Sequence, residues 1–576
     1  MNVRHRTMRG DPWGRARRIA LVTTTAAAVV VAGLPVTGAA ANPRTGGWRD
    51  VVVTGSDATG AATAVAAAGG RVLASLPVAR GVAAQLPPGA VLDPAWYVTP
   101  QHSLQVAATP ATTDSESTST IRETLGLPAN GSEGRGVTVA VVDTGIADVP
   151  DLAGRVSERV DLTGTGAGDG YGHGTFMAGL IAGSGAASGG VHRGVAPAAN
   201  LIDVKVADAQ GRTDLITVLR GLQWVSEHAH QIKVLNLALS SNSPMPYQLD
   251  PLTQALESLW RRDVTVVVPS GNDGPDAGSV TSPGNDPVLL TAGGLDEVGT
   301  AERRDDVLGT WSGRGPTWQG DAKPDLVAPG GHLVSLRSPN SVVDASTPGS
   351  RVGTDYFRGS GTSMATAVTS GVVAAAVAAE PRLRPDAVKN LLTATAYQAP
   401  GLTRAAGAGA GGLDAARVLA AAPDWRGNAS QARYAKDNRA IGRDARYWAA
   451  FEKAVVDGDG AAAAQAWAKL SADSRDWAAR TWSDLDPAAR AWAARAWAAR
   501  AWAGADNDQW AARAWAARAW AARAWASDDW AARAWAGDDW AARAWAARAW
   551  AGENWAARAW ASDQWTARAW AWLPPE

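Results

Sequence analysis

The chain has 576 residues, a formal net charge of −1 and no cysteine. That length exceeds one ordinary domain, and the balanced charge argues against a nucleic-acid-binding protein as the default class. The lack of cysteine excludes a disulfide scaffold, a thiolate metal site and a cysteine nucleophile. The 29 tryptophans, beside 3 phenylalanines and 7 tyrosines, need a cause other than an ordinary core.

The first 41 residues have the pattern of an export signal. Six arginines between Arg4 and Arg18 precede an apolar run over 19–36, and three small residues end at Ala41. Signal peptidase requires small residues before its cleavage point, so we predict a signal peptide over 1–41 and a secreted protein. A membrane anchor is the alternative, since the run is barely long enough to span ~30 Å of bilayer.

Residues 42–115 have the pattern of a small α+β unit. Short apolar strands are expected around 51–53 and 71–73, with an alanine-rich helix over 58–68 between them. The segment 108–119 is rich in Ala, Thr and Ser without periodicity. We expect an exposed linker there, where proteolytic cutting concentrates.

Residues 116–422 alternate apolar strands with helical stretches. Runs of Val, Ile and Leu at 137–142, 201–206, 234–239 and 264–268 are separated by helical patterns such as 215–230 and 251–262. This alternation predicts an α/β domain with a buried parallel sheet and helices on both faces. Ligands in such sheets bind at the carboxyl ends of the strands, so we look for chemistry there.

Three short motifs carry residues suited to nucleophilic catalysis. Asp143 follows the strand 137–142, His173 lies between two glycines, and Ser363 opens the small-residue helix predicted over 365–379. Alone, each has an ordinary structural explanation: an Asx turn, a satisfied histidine and a helix N-cap. Together they supply a nucleophile, a base that takes its proton and a carboxylate that orients the base.

The motifs around these residues resemble those of the subtilisin-like serine proteases. Asp143-Thr-Gly-Ile, Gly172-His-Gly-Thr and Gly361-Thr-Ser-Met-Ala match that family in its Asp, His, Ser order. The resemblance implies a three-layer fold around a parallel sheet and a secreted endopeptidase that acts on protein or peptide substrates. The resemblance implies an enzyme that needs no cofactor, and it identifies no metal ligand. Whether the protein binds structural calcium stays open.

The resemblance also implies roles for the residues around the triad. Asn272 matches the asparagine that binds the oxyanion together with the Ser363 N–H. Two walls of the substrate pocket match Ala238, Leu239, Ser240 and Pro269, Ser270, Gly271. Ser240 stands where the family usually has glycine, so we expect a narrowed pocket that prefers small or medium apolar residues before the cleaved bond. Ala367 replaces the family's proline, and we expect a small packing change.

By the same resemblance, residues 42–115 are an inhibitory propeptide of the domain at 116–422. The propeptide is then a partner of the catalytic domain, and the enzyme is made as a zymogen that cuts its own linker between about 103 and 120.

Residues 423–576 form an Ala/Trp/Arg-rich extension that holds 22 of the 29 tryptophans, one at every fifth position from Trp510 to Trp570. Five residues advance a helix by about 500°, so a helical tail would carry tryptophan on every side. Such a surface suits association with the cell envelope or with itself, whereas its nearly balanced charge disfavours nucleic acid. The alternative is an expanded repeat that encodes a tolerated, disordered tail.

Two further functions stay open at this stage. One is a secreted envelope-binding protein, in which the tail binds the envelope and the protease-like domain is an inactive scaffold that carries it. The other is acyl transfer other than proteolysis, since this triad is not confined to peptide bonds.

Overall fold

A computed structural model describes residues 47–93, 95–106, 109–110, 121–129, 131–241, 246–317 and 321–425, with short pieces between 444 and 471. The predicted signal peptide, most of the linker and almost all of the tail lie outside the described residues. The helices of four or more residues in the described part are α1 (Ala58–Ala67), α2 (Ile121–Thr124), α3 (His173–Ala182), α4 (Leu215–Glu227), α5 (Pro251–Trp260), α6 (Val342–Ser346), α7 (Thr362–Ala379), α8 (Pro385–Thr395) and α9 (Ala415–Ala421).

The strands found among the described residues belong to four sheets. In chain order they are β1 (Arg49–Thr54), β2 (Arg71–Leu76), β3 (Gly81–Leu86), β4 (Tyr97–Pro100), β5 (Ser103–Val106), β6 (Thr109–Pro110), β7 (Thr138–Asp143), β8 (Val156–Asp161), β9 (Asn200–Lys205), β10 (Arg212–Asp214), β11 (Val234–Leu237), β12 (Leu239–Ser241), β13 (Thr265–Pro269), β14 (Leu290–Asp296), β15 (Val307–Leu308), β16 (Leu326–Pro329), β17 (Leu333–Leu336), β18 (Arg351–Val352) and β19 (Tyr356–Ser360).

The first sheet is antiparallel, in the order β2-β3-β1-β4, and α1 packs on it. Asp57 caps α1 by accepting the Gly60 N–H at 2.8 Å. Alternation along β1 gives the sheet two buried faces: Val51 and Val53 pack with α1, whereas Val52 joins the large core of the following domain. This α+β unit is therefore packed on both sides.

The central sheet has the order β15-β14-β13-β11-β7-β9-β8, with β16 paired to β14. Its pairs are parallel except for β14 with β15. Every residue of β11 and β13 is buried, so both faces of the sheet are covered. Helices α3 and α7 contact each other and the sheet, and α4 and α5 form a second such pair. The predicted three-layer α/β fold is confirmed, with a mixed, mostly parallel sheet.

The expected single strand over 234–239 is wrong. The chain leaves the central sheet after Leu237, and Leu239–Ser241 pairs instead with β5 in a small three-stranded sheet. Ala238 and Leu239 are as buried as the strand before them, so hydrophobicity alone does not mark the change of sheet.

Helix α7 is the only helix of the described part that is long and apolar enough to cross a membrane. It is 89% buried inside the protein, and it contacts β11, β13, β14 and β16. Its hydrophobicity is therefore that of a core helix.

Candidate active site

Asp143 and His173 form a buried hydrogen-bonded pair. Asp143 ends β7, and His173 is the first residue of α3. The imidazole Nδ1 lies 2.8 and 2.9 Å from the two carboxylate oxygens. Both residues are at most 4% exposed. Because Nδ1–H donates to the carboxylate, the neutral ring presents Nε2 as a proton acceptor.

Two glycines allow this approach. Gly172 precedes α3 with a φ of 111°, a backbone conformation that favours glycine. A Cβ on Gly174 would lie 2.2 Å from the Gly145 carbonyl oxygen and 3.2 Å from the Asp143 Cβ. The glycines on both sides of His173 therefore let the loop after β7 reach the start of α3.

Ser363 lies in the first turn of α7 and is fully buried in this chain. Its hydroxyl donates to the Ala238 carbonyl oxygen at 3.3 Å. Nε2 of His173 has no hydrogen-bond partner among the described residues, although His173 and the neighbouring Met364 line the same cavity. Helices α3 and α7, whose first turns carry His173 and Ser363, contact each other.

Asn272 follows β13 and is fixed by the residue before the serine. Its Oδ1 accepts hydrogen bonds from the N–H and the hydroxyl of Thr362, each at 2.9 Å. Two donors on one oxygen settle which end of the amide faces α7, and the Nδ2 amino group is the opposite end. The first N–H groups of a helix have no partner within it, and the Ser363 N–H belongs to that turn.

The two predicted walls of the substrate pocket stand at the ends of neighbouring strands. Ala238, Leu239 and Ser240 follow β11, and Ser270 and Gly271 follow Pro269, the last residue of β13. Gly271 has a φ of 95°, and a Cβ there would lie 2.4 Å from the Thr281 hydroxyl oxygen. The carboxyl edge of the parallel sheet thus brings both walls beside Asn272 and Ser363.

A strand of the chain itself pairs with the first of these walls, which the sequence did not reveal. Strand β5 is antiparallel to β12, with Val106 opposite Leu239 and Gln105 opposite Ser240. Its other edge pairs with β10, and Leu104 is buried. The alternation of Ser103-Leu104-Gln105-Val106 is too short to identify a strand without knowing its partners.

The first described residues of the linker expected over 108–119 form a strand. Thr109–Pro110 forms β6, which is antiparallel to β19, with Thr109 opposite Ser360. Ser360 lies three residues before Ser363. The chain therefore pairs twice near the serine: β5 with the strand that follows Ala238, and β6 with the strand that leads into Ser363.

A second buried carboxylate adjoins the Asp143–His173 pair and was missed by the sequence analysis. Asp169 is 6% exposed and accepts hydrogen bonds from the loops that carry both residues. Burial raises its pKa, and these hydrogen bonds oppose the change. Its position four residues before His173 was the available signal, but an aspartate among glycines is typical of any turn.

Comparison with known proteins shows one family. Residues 134–409 match the model of the subtilase family, Peptidase S8. Serine protease AprX of Bacillus subtilis (strain 168) is 44% identical over 269 residues, 45% of this chain and 61% of that protein. Subtilisin Savinase of Lederbergia lenta is 34% identical over 266 residues, 46% of this chain and 85% of that protein.

A solved structure shares the fold. Fervidolysin from Fervidobacterium pennivorans, a keratinolytic enzyme related to subtilisin, matches with a TM-score of 0.50 and 22% identity over 65% of this chain and 61% of its own. The matched region spans less than two thirds of AprX but most of Subtilisin Savinase. The chain, on the strength of its matched domain, belongs to the subtilase family.

Proposed function

We propose that this protein is a serine endopeptidase. Its Ser363 hydroxyl attacks the carbonyl carbon of a peptide bond, while Nε2 of His173 takes the hydroxyl proton and passes it to the leaving amine. Asp143 holds Nδ1 and stabilises the imidazolium. Water then hydrolyses the acyl-enzyme through the same histidine. The buried Asp143–His173 pair beside the helix that carries Ser363 is the observation that supports this proposal most directly.

The oxyanion that forms during attack is bound by the Asn272 Nδ2 amino group and the Ser363 N–H. Thr362 holds the Asn272 side chain by its oxygen, so the amide is oriented before substrate arrives. Donors that are fixed in advance stabilise developing charge without reorganising, which is the main electrostatic contribution in such sites.

Residues 42–115 act as an inhibitory propeptide in this proposal. Strand β5 lies along the cleft wall up to Val106, next to the Ala238 carbonyl that accepts from Ser363. The chain pairs again at Thr109, beside the strand that leads into Ser363. These two registers direct self-cleavage to one of the three peptide bonds between Val106 and Thr109. After the cut, the new amino terminus and β6 would move away from Ser363. Strand β5 would stay paired with β12 and inhibit the enzyme until the propeptide dissociates.

The proposal keeps the predicted signal peptide over 1–41, catalytic domain over 116–422 and extension over 423–576. Within the unit predicted as the propeptide over 42–115, it places the cut between Val106 and Thr109, so the residues after the cut stay with the catalytic domain. The enzyme is secreted and acts on proteins or peptides with a small or medium apolar residue before the cleaved bond. The extension associates with the cell envelope or with itself. Comparing the cell-bound fraction of the full chain with that of a chain lacking 476–576 tests the last point, and equal fractions would contradict it.

A fluorophosphonate probe tests the catalytic assignment. The wild-type protein should gain one adduct at Ser363 and cleave casein, whereas Ser363→Ala should do neither while retaining the wild-type circular dichroism spectrum. A folded wild-type protein that takes no label and cleaves nothing would favour the envelope-binding scaffold instead. Labelling without peptidase activity would favour another acyl transfer.

A further inference from the structure

Asp169 is the most heavily hydrogen-bonded carboxylate beside the candidate active site. It lies in the loop before α3 and is 6% exposed. Its Oδ1 accepts from the Thr144 hydroxyl at 2.8 Å and from the Gly172 N–H at 2.7 Å. Its Oδ2 accepts from the Thr175 N–H at 2.9 Å and from the Thr175 hydroxyl at 2.7 Å.

These donors come from the two loops that carry Asp143 and His173. Thr144 is the residue after Asp143, and its N–H also donates to the Asp143 carboxylate at 2.8 Å. Gly172 and Thr175 lie on either side of His173 in the chain. One buried side chain therefore joins the residue after the catalytic carboxylate to both flanks of the histidine.

The network has a direction. The Thr144 oxygen accepts from the Gly174 N–H at 2.9 Å, and the Thr175 oxygen accepts from the Ala147 N–H at 2.9 Å. Each hydroxyl is thus oriented to donate its own proton to Asp169. In all four contacts the carboxylate oxygens of Asp169 accept, two hydrogen bonds at each oxygen.

We propose that Asp169 is a positioning residue for catalysis, which sets the Asp143–His173 pair at the distance and angle that proton transfer requires. This inference rests on the proposed protease function. Asp169 does not touch substrate; it acts through Thr144, Gly172 and Thr175. Misplacing a reacting group by about 1 Å can cost about 100-fold in rate, so a side chain that fixes two catalytic loops has a kinetic effect beyond stability.

The test uses the full-length chain and four variants. Asp169→Asn keeps the side-chain volume but brings an amino group towards donors. Thr144→Val removes one of those donors, and Thr144→Ser restores the hydroxyl. Asp414→Asn is the control, because Asp414 is a buried carboxylate that caps α9 and pairs with Arg303. Active sites are counted with the fluorophosphonate, and kcat, KM and the unfolding midpoint are measured for each variant.

We expect Asp169→Asn to lower kcat by about 10- to 100-fold with KM changed less than about twofold. Thr144→Val should lower kcat by a smaller factor, and Thr144→Ser should recover most of it. Asp414→Asn should lower the unfolding midpoint and leave kcat per active site unchanged.

Two results would overturn the positioning role. One is an Asp169→Asn protein with a lowered unfolding midpoint but wild-type kcat. The other, which decides the case if that variant does not fold, is a Thr144→Val protein with the kcat of Thr144→Ser. An inactive, unlabelled wild-type protein would instead refute the protease function itself.

Discussion

At the scale of single residues, the hydrogen bonds that hold the Asn272 oxygen also orient its amino group. Its oxygen is held by two hydrogen bonds from Thr362, at 2.9 Å each, so the amino group has little freedom. The position of this group depends on the first turn of α7, which also carries Ser363. In the proposed mechanism, this one local structure therefore sets both oxyanion binding and the placement of the nucleophile.

Asn272→Ala should lower kcat by about 10²- to 10³-fold, because one donor to the oxyanion is lost. KM should change little, since that donor acts mainly in the transition state. Steady-state kinetics on a chromogenic peptide, with active sites counted by titration, check this. Wild-type kcat in a correctly folded variant would show that Asn272 is not the donor.

Ser240 offers a second prediction at this scale. It lies in the wall strand β12, opposite Gln105 of β5, where the family usually has glycine. Ser240→Gly should widen the pocket and raise cleavage after large aromatic residues relative to cleavage after alanine. Profiling cleavage sites in a peptide library measures this ratio for both proteins. A wild-type preference for large aromatic residues would refute the narrowed pocket.

At the scale of elements, the strand β9 carries a buried carboxylate beside the loop that follows Asp143. Asp203 accepts the Ile146 N–H at 3.0 Å and pairs with Arg159 at 3.1 Å. Burial raises its pKa from 3.8 to about 7 despite these contacts. The folded protein thus holds this proton more tightly than the unfolded chain does, so the group stabilises the fold at low pH and loses that contribution as pH rises from about 4 to 7.

Asp203→Asn should remove this pH dependence. In a Ser363→Ala background, which prevents self-digestion, the free energy of unfolding is measured by urea at pH 4.5 and pH 7.5. The decrease between these pH values should be smaller in Asp203→Asn, by an amount on the order of 2–3 kcal/mol. Asp148→Asn is the matched control, because Asp148 also pairs with Arg159 but is 95% exposed. Equal pH dependence in all three proteins would contradict the raised pKa.

The sequence predicted those helices and strands whose residue pattern is sufficient to identify them. Buried parallel strands appear as continuous apolar runs, and the core of α7 consists of small residues that leave room for close packing. The break after Leu237 and the strands β5 and β6 were not predictable in this way. Their existence depends on partners more than 100 residues away, such as Leu239 for Val106 and Ser360 for Thr109.

In the candidate site, too, local motifs identified some residues, whereas others were recognisable only from their contacts. We predicted Asp143, His173, Asn272 and Ser363 as site residues because the short motifs around them resemble those of the subtilisin-like proteases. Asp169 was not predicted, because its significance lies in four contacts with residues that have no distinctive pattern. A buried carboxylate at a turn becomes informative only when its donors are known.

At the scale of the whole molecule, the parallel sheet assembles the site from distant parts of the chain. Asp143 lies at the carboxyl end of β7, and Asn272 follows the carboxyl end of β13. The predicted pocket wall follows Leu237 at the end of β11, and α7 supplies Ser363. The N-terminal unit packs on the same core through Val52, and its continuation lies along the cleft. The α+β unit of α1 and β1–β4 is therefore joined to the rest of the protein by a packed residue and by the strand β5 that follows it.

The most direct measurement is the intact mass of the purified full chain and of its Ser363→Ala variant. The protease account predicts a wild-type product that begins at Ala107, Ala108 or Thr109, and an uncut Ser363→Ala chain that still holds β5 in the cleft. Identical cutting of both proteins at this place would mean that another protease processes the chain. A folded wild-type chain that stays uncut would contradict self-processing by Ser363.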